Sequence, residues 1–148
     1  MYNVIMLSTG ESVAYDEDLE VFCGKINWIG GEIELFLGPD RNSDTADYSL
    51  DIFEEILQNP KKWDTEAREY VAGYLQMHFP EYMSVDGHEL THEDVVNFPE
   101  LECIFISPDR SMEFSFNDCS LIHGKQLIVS GKYGNGFDVV KIERRFDE

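Results

Sequence analysis

The stretch from Tyr48 to Phe79 most constrains the fold, because apolar residues recur there at helical spacing on both sides of an Asn-Pro pair. Steps of three and four residues place such residues on one stripe of a helix with 3.6 residues per turn. Proline lacks a backbone N–H and clashes with the preceding turn, so one helix should end just before Asn59-Pro60. Asn59 is a good N-cap, and Pro60 suits the first position of the next helix. The sequence therefore predicts two helices, roughly 48–58 and 60–78, with almost no loop between them.

The two apolar stripes carry enough large side chains to form much of a hydrophobic core. They consist of Leu50, Phe53, Ile56, Leu57, Trp63, Ala67, Tyr70, Val71, Tyr74 and Leu75. Burial of each large side chain contributes about 1.5–3 kcal/mol, and a sheet must cover such a surface. We interpret the stripes as core packing, and no cofactor is predicted.

Alternating apolar and polar residues on both sides of the helical stretch predict β-strands. These strands are Val4–Leu7, Val13–Tyr15, Leu19–Trp28 and Glu32–Leu37 before the helices, and Leu101–Ile106, Met112–Phe116, Leu127–Val129 and Phe137–Ile142 after them. The glycine pair Gly30-Gly31 and the run Gly134–Gly136 predict hairpin turns. Thr91 is a suitable N-cap for a short helix at Thr91–Asn97, whereas Tyr82–His88 is predicted to be irregular.

The order of strands, then helices, then strands favours an α+β fold over alternating βαβ units. We predict one acidic domain spanning residues 1–148. In this domain a mostly antiparallel sheet, with strand hairpins at both ends of the chain, packs against the central helix pair and one short extra helix.

The charge of the chain is strongly negative, with 11 Lys and Arg residues against 30 Asp and Glu residues and a net charge of −19 at pH 7. This charge opposes binding to a phosphate backbone or to an anionic membrane, so we predict no direct nucleic-acid or membrane partner. Solubility alone or attraction of a basic protein would account for it. The candidate partner-contacting residues are Asp16, Glu17, Asp18, Glu32 and Glu34.

The cysteines Cys23, Cys103 and Cys119 are odd in number and isolated in spacing, unlike a disulfide framework. The first residues carry no basic leader, and no apolar run approaches the ~20 residues of a transmembrane helix. We therefore predict a cytoplasmic protein, and the sequence indicates no oligomeric state.

The segment His88-Glu89-Leu90-Thr91-His92 matches the H-E-x-x-H pattern of zinc peptidases. That pattern works because a helix places both histidines one turn apart on one face, with the glutamate as general base. Here Thr91 is a helix cap, so the helix should begin after the first histidine. We interpret His88 and His92 as surface residues and predict no metal site.

A second polar cluster contains Asp118, Cys119, Ser120 and His123 in a loop between strands. A Cys-His pair can act as nucleophile and base. We interpret the loop as polar structure with a half-buried thiol and assign no catalytic residue. A metal-dependent or cysteine hydrolase that uses His88, Glu89 and His92, or Cys119 and His123, stays open as an alternative.

Four blocks occur along the chain in a fixed order: Leu19–Gly30, Trp63-Asp64 with Arg68-Glu69-Tyr70, Leu90-Thr91 before the short helix, and Leu121–Gly131. Together they resemble an uncharacterised bacterial family, domain-of-unknown-function family 2262, over about Leu19 to Ile142. The resemblance implies a fold and no established activity. By analogy, small acidic domains of this kind occur as immunity proteins beside bacterial toxins.

The charge, together with the lack of a convergent catalytic set in the sequence, favours a non-enzymatic protein-binding module, such as an immunity protein or a regulator, for a basic partner. A hydrolase is the first alternative, and a purely structural domain is the second.

Overall fold

The computed structural model describes residues 3–41, 44–85, 87–119, 121 and 124–144. Its two long helices are α1 (Asp47–Leu57) and α2 (Pro60–His78). The side chain of Asn59 caps α2 by accepting a hydrogen bond of 3.4 Å from the backbone N–H of Lys62. The predicted helix pair and its Asn-Pro corner are therefore confirmed. In the described part of the chain, no helix is both long enough and apolar enough to cross a membrane.

An eight-stranded sheet forms the other layer of the described fold. Its strands are β1 (Val4–Met6), β2 (Ser12–Asp16), β3 (Val21–Trp28), β4 (Gly31–Leu37), β7 (Glu100–Ile106), β8 (Ser111–Asn117), β9 (Lys125–Lys132) and β10 (Gly136–Arg144); a separate hairpin contains β5 (Ser84–Val85) and β6 (His88–Glu89). The sheet order is β1-β2-β3-β4-β7-β8-β9-β10. Neighbours are antiparallel except β4 and β7, which are parallel. The mostly antiparallel α+β fold is as predicted.

The one parallel pairing explains where the helices lie. Parallel strands need a long crossover connection, and the crossover from β4 to β7 contains the helices. This connection brings α1 and α2 onto one face of the sheet. The fully buried residues of the helices and the sheet include Phe53, Ile56 and Leu75 of the helices and Phe22, Leu35, Leu37, Ile104 and Phe114 of the sheet. Most of the predicted stripe is buried or partly buried, but Tyr70 is exposed.

Smaller elements follow α2. Helix α3 (His92–Asn97) begins at the predicted cap, where the side chains of Thr91 and Asp94 each accept a hydrogen bond from the other's backbone N–H. Before it lie the 3-10 turn Pro80–Tyr82 and the β5–β6 hairpin. The prediction that Tyr82–His88 is irregular was wrong where these two short strands form. Strands of two residues are too short to show an alternating pattern in the sequence.

The β3–β4 hairpin turns one residue earlier than its sequence suggests. Ile29 and Gly30 occupy the turn with φ of 46° and 80°, and Gly31 already belongs to β4. Positive φ at both central residues is the requirement of the tight turns that match strand twist. The predicted hairpin is thus present, with an isoleucine where glycine or asparagine is usual.

Arg68 of α2 ties the helical layer to the sheet. Its Nε donates to Asp64 Oδ2 at 2.8 Å, and its Nη1 donates to the carbonyls of Val96 in the last turn of α3 and of Pro99 just after it. Its guanidinium also lies 5.2 Å from the ring centre of Phe116. Asp64 Oδ1 accepts a further hydrogen bond of 3.1 Å from the indole of Trp28 in β3. This network fixes α2, α3 and the sheet relative to one another.

Candidate functional site

The sheet face opposite the helices is the most distinctive surface of the described structure. Side chains alternate between the two faces of a strand, so Ile33 and Leu35 point to the helices whereas Glu34 and Phe36 point away. We call this second surface the open face. Its side chains include Asp16, Val21, Cys23, Glu32, Glu34, Phe36, Cys103, Phe105, Glu113, Ser115, Gln126, Ile128 and Glu143.

Apolar side chains run diagonally across the middle of the open face. Phe36 lies between Cys23 and Phe105 on neighbouring strands, and the rings of Phe36 and Phe105 stack with centroids 6.2 Å apart. On the next row Cys103, Ser115 and Ile128 are neighbours across β7, β8 and β9. We call the set Val21, Cys23, Phe36, Cys103, Phe105 and Ile128 the apolar band. A shallow groove of about 360 Å³ runs along it.

Carboxylates border the apolar band, although Lys141 of β10 is the cross-strand neighbour of Ile128. Asp16 is the cross-strand neighbour of Val21, Glu34 that of Cys103, and Glu113 that of Phe105. Glu143 lies beside Gln126 at the far strand. We call Asp16, Glu32, Glu34, Glu113 and Glu143 the acidic rim. Lys25 partly offsets it, since its Nζ lies 3.9 Å from Glu32 Oε1 in a well-exposed ion pair.

Burial and the negative charge of this face both oppose ionisation of its thiols. Burial raises the pKa of Cys103 to about 11; a hydrogen bond with Ser115 opposes this shift, and the charges of Glu102, Glu34 and Glu113 add to it. Burial also raises the pKa of Cys23, and the charges of Asp16 and Glu34 act in the same direction. Both thiols therefore stay protonated at neutral pH and behave as small apolar groups.

The structure places three of the five candidate partner-contacting residues on one face of the sheet. Asp16, Glu32 and Glu34 lie on the open face, whereas Glu17 and Asp18 lie in the β2–β3 turn at its edge. Asp16 also has a local role, because its Oδ1 accepts hydrogen bonds from the backbone N–H groups of Asp18 at 2.9 Å and Leu19 at 3.0 Å.

The bacterial family DUF2262, whose description is "Uncharacterized protein conserved in bacteria", matches residues 10–142 of the chain. The chain belongs to DUF2262. The matched range contains all three helices and every open-face residue named above except Glu143. No curated protein and no solved structure matches the chain. Membership in DUF2262 confirms the resemblance found in the sequence, and it brings no known activity with it.

The H-E-x-x-H segment of this DUF2262 domain does not form a zinc-peptidase helix. His88 and Glu89 lie in β6, and α3 begins only at His92. The two ring nitrogens of His92 face α2, where Nδ1 lies 2.8 Å from Gln76 Oε1 and Nε2 contacts the carboxylate of Glu69. Among the described residues, no group of three or more His, Cys, Asp or Glu side chains is placed to hold a metal ion.

The second candidate pair is described only in part. Cys119 follows β8 and is exposed, whereas Ser120 and His123 lie outside the described residues. Burial, with the charges of Glu100 and Asp118, raises the pKa of the Cys119 thiol. A catalytic cysteine needs the opposite shift, because the thiolate is the nucleophile.

We expect the Cys119 thiol of the DUF2262 domain to ionise above its ordinary pKa of 9.0, because burial and negative neighbours both disfavour the thiolate. The rate of iodoacetamide modification, followed by mass spectrometry of the Cys119 peptide, should rise with pH to a midpoint above that value. Unfolded protein provides the reference curve. A midpoint below about 8 would instead favour the cysteine-hydrolase alternative.

A second concave region of the DUF2262 domain lies where the loop before α1 meets the β7–β8 turn. Its volume is about 710 Å³, and its lining mixes both signs of charge, with Asp40, Arg41, Asp47 and Asp109. The Asp40 carboxylate closes the local loop, since Oδ2 accepts hydrogen bonds from Thr45 Oγ1 at 2.6 Å and from the Asp47 N–H at 3.0 Å. We interpret this concave region as a result of the loop conformation that these hydrogen bonds hold.

The apolar members of the open face were not predicted from the sequence. Their signal was present: Phe36 and Phe105 fall on the strand positions that alternate with the buried residues, where polar side chains are the norm. Phe36 interrupts the alternation of β4, and Phe105 lies in a continuous apolar run of β7, so neither strand alone shows which of its faces is exposed.

Proposed function

We propose that this DUF2262 member is a non-enzymatic protein-binding module, such as an immunity protein or a regulator, whose acidic surface engages a basic protein. The observation that carries the proposal is the open face, where the apolar band lies within the acidic rim. A contiguous apolar area with a polar border is typical of an interaction site.

Charge supports a basic partner in particular. A net charge of −19 raises the rate of encounter with a cationic protein, and salt screens this attraction beyond about 8 Å under physiological conditions. The same charge opposes nucleic acid and anionic lipid. The three free cysteines support a reducing, cytoplasmic location.

The binding module is favoured over a hydrolase for two reasons. His88 and His92 lie on different elements, and Cys119 is held in its protonated form. It is favoured over a purely structural domain because the Phe36 and Phe105 rings remain partly exposed on the open face.

Affinity purification from the bacterium that encodes the protein tests the proposal. We expect the tagged protein to retain a basic protein at about 50 mM salt and to release it at about 500 mM, because screening weakens surface electrostatics. Reconstitution of the pair from purified proteins, followed by titration, then gives the affinity at each salt concentration. The immunity version further requires a toxin gene beside the gene of this protein.

Two variants of equal net charge locate the contact. The first replaces Glu17, Asp18, Glu32 and Glu34 with their amides; the second does the same at Glu66, Glu81, Glu89 and Glu93, which are exposed on the helices and small elements. The first variant should lose at least about fivefold in affinity, roughly 1 kcal/mol, and the second should change little. Failure to find any salt-sensitive basic partner would overturn the proposed function.

A further inference from the structure

We propose that the apolar band binds one amphipathic helix of a basic protein. Lysine or arginine residues on both sides of the apolar stripe of this helix reach the acidic rim. This inference rests on the proposed function and narrows it to one face and one kind of partner element. It follows from the juxtaposition of partly exposed Phe36, Phe105 and Ile128 with Glu34 and Glu113.

The dimensions of the band fit a helix. It crosses the five strands β3, β4, β7, β8 and β9, which are neighbours in the sheet. At about 4.8 Å between strands the perpendicular width of these strands is roughly 19 Å, so the diagonal band is at least as long as about 13 helical residues. The groove is shallow, so it accepts a side-chain ridge rather than a whole chain. The opposite face of the same sheet already packs against helices in this way.

The arrangement of charge selects a cationic helix. Glu34 lies on one side of the diagonal, next to Cys103, and Glu113 lies on the other side, next to Phe105. A helix with an apolar stripe and lysines on both borders of it would place each ammonium group over a carboxylate while the lysine stems cover apolar surface. An anionic or neutral helix would leave these carboxylates unpaired against it.

A second copy of this chain is disfavoured as the occupant of the band. Two open faces brought together would oppose Glu34 and Glu113 of one copy with the same residues of the other, in molecules that each carry −19. Like charges placed directly opposite one another are destabilising. The electrostatics therefore indicate a partner of opposite charge.

A synthetic peptide tests directly whether the apolar band binds such a helix. It is a fluorescein-labelled peptide of about 14 leucine and lysine residues with its leucines on one helical stripe, roughly 21 Å long as a helix. We expect it to bind the full-length protein, with anisotropy rising on titration and affinity falling at least about tenfold between about 50 and 500 mM salt. The same residues in an order without a stripe, and a leucine-glutamate version, should bind at least about tenfold more weakly.

Matched variants distinguish binding of the peptide to the apolar band from its general attraction to an acidic protein. Phe105→Ser with Ile128→Ser removes the apolar surface of the band, whereas Tyr48→Ser with Met77→Ser removes side chains 65 % and 76 % exposed on the helical layer. The first pair should weaken binding about tenfold or more, and the second less than about twofold. If the first pair loses its folded circular dichroism spectrum, Ile128→Thr, which keeps a β-branched side chain in the strand, replaces it.

The rim is tested with two triple variants of equal net charge. Glu34→Gln, Glu113→Gln and Glu143→Gln together should weaken binding about tenfold, and Glu66→Gln, Glu81→Gln and Glu93→Gln together less than about threefold. Equal losses from the two sets, equal losses from the two serine pairs, or no binding of the striped peptide would each overturn the inference. A salt-sensitive native partner that is indifferent to Phe105 and Ile128 would overturn it too, yet leave the proposed function standing.

Discussion

Replacing Arg68 with alanine is expected to lower the free energy of unfolding by about 3–5 kcal/mol. The Arg68 side chain is 18 % exposed and the Asp64 side chain 17 %, so both charges are largely removed from water. The variant leaves the Asp64 carboxylate without its cation, and it leaves the carbonyls of Val96 and Pro99 without their donor. It also removes the guanidinium from the face of Phe116. Urea unfolding followed by circular dichroism measures the change.

Two further variants show whether burial of the Arg68–Asp64 ion pair causes the loss of stability. Lys132→Ala breaks an exposed ion pair with Asp109, whose atoms lie 3.2 Å apart, and should cost at most about 1 kcal/mol. Arg68→Lys keeps the charge but not the planar set of donors, so it should recover only part of the loss. An Arg68→Ala cost below about 1 kcal/mol would show that the network does not stabilise the fold.

The elements that could be predicted from the sequence are those whose signals are local. Asn59-Pro60 marks the helix corner because a proline ring and an N-cap act within one turn. Thr91 marks α3 for the same reason, since its capping partner Asp94 is three residues away. The antiparallel hairpins are also local, because a tight turn pairs each strand with the next.

The parallel pairing of β4 with β7 could not be predicted in this way. More than sixty residues separate Leu37 from Glu100, and no local pattern specifies which strand the chain rejoins. The Arg68 network depends on that pairing, since its acceptors Val96 and Pro99 lie just before β7. Long-range topology therefore decides which polar residues meet.

The charged residues of the candidate site could be predicted from the sequence, whereas its apolar residues could not. Glu32 and Glu34 alternate with buried residues, so their exposure follows from strand periodicity. The apolar band instead arises where Phe36, Phe105 and Ile128 of three strands share one face, which requires the strand order. Each strand shows only that a phenylalanine occupies a position where a polar residue is usual, and the shared surface follows only once the strand order is known.

Replacing Gly131 with alanine is expected to lower the free energy of unfolding by about 2–3 kcal/mol, the cost of overpacking a closely packed site. Gly131 of β9 pairs with Phe137 of β10 beside an irregularity in the register. A Cβ atom added there would lie 2.0 Å from the Gly136 carbonyl oxygen and 2.8 Å from the Phe137 Cα. Because both atoms belong to the backbone, relief requires the hairpin to separate. Thermal unfolding measures the loss, and faster amide hydrogen exchange in β10 locates it.

Gly73→Ala is the matched control, since it makes the same chemical change in the middle of α2, where an added Cβ meets nothing within 4 Å. It should raise the free energy of unfolding by about 0.5–1 kcal/mol, because alanine restricts the unfolded chain more than glycine does. The same entropic gain is available at Gly131, so the two variants differ chiefly in the contact with the β10 backbone. If both variants shift stability in the same direction, the close approach of β9 and β10 is not what requires glycine at position 131.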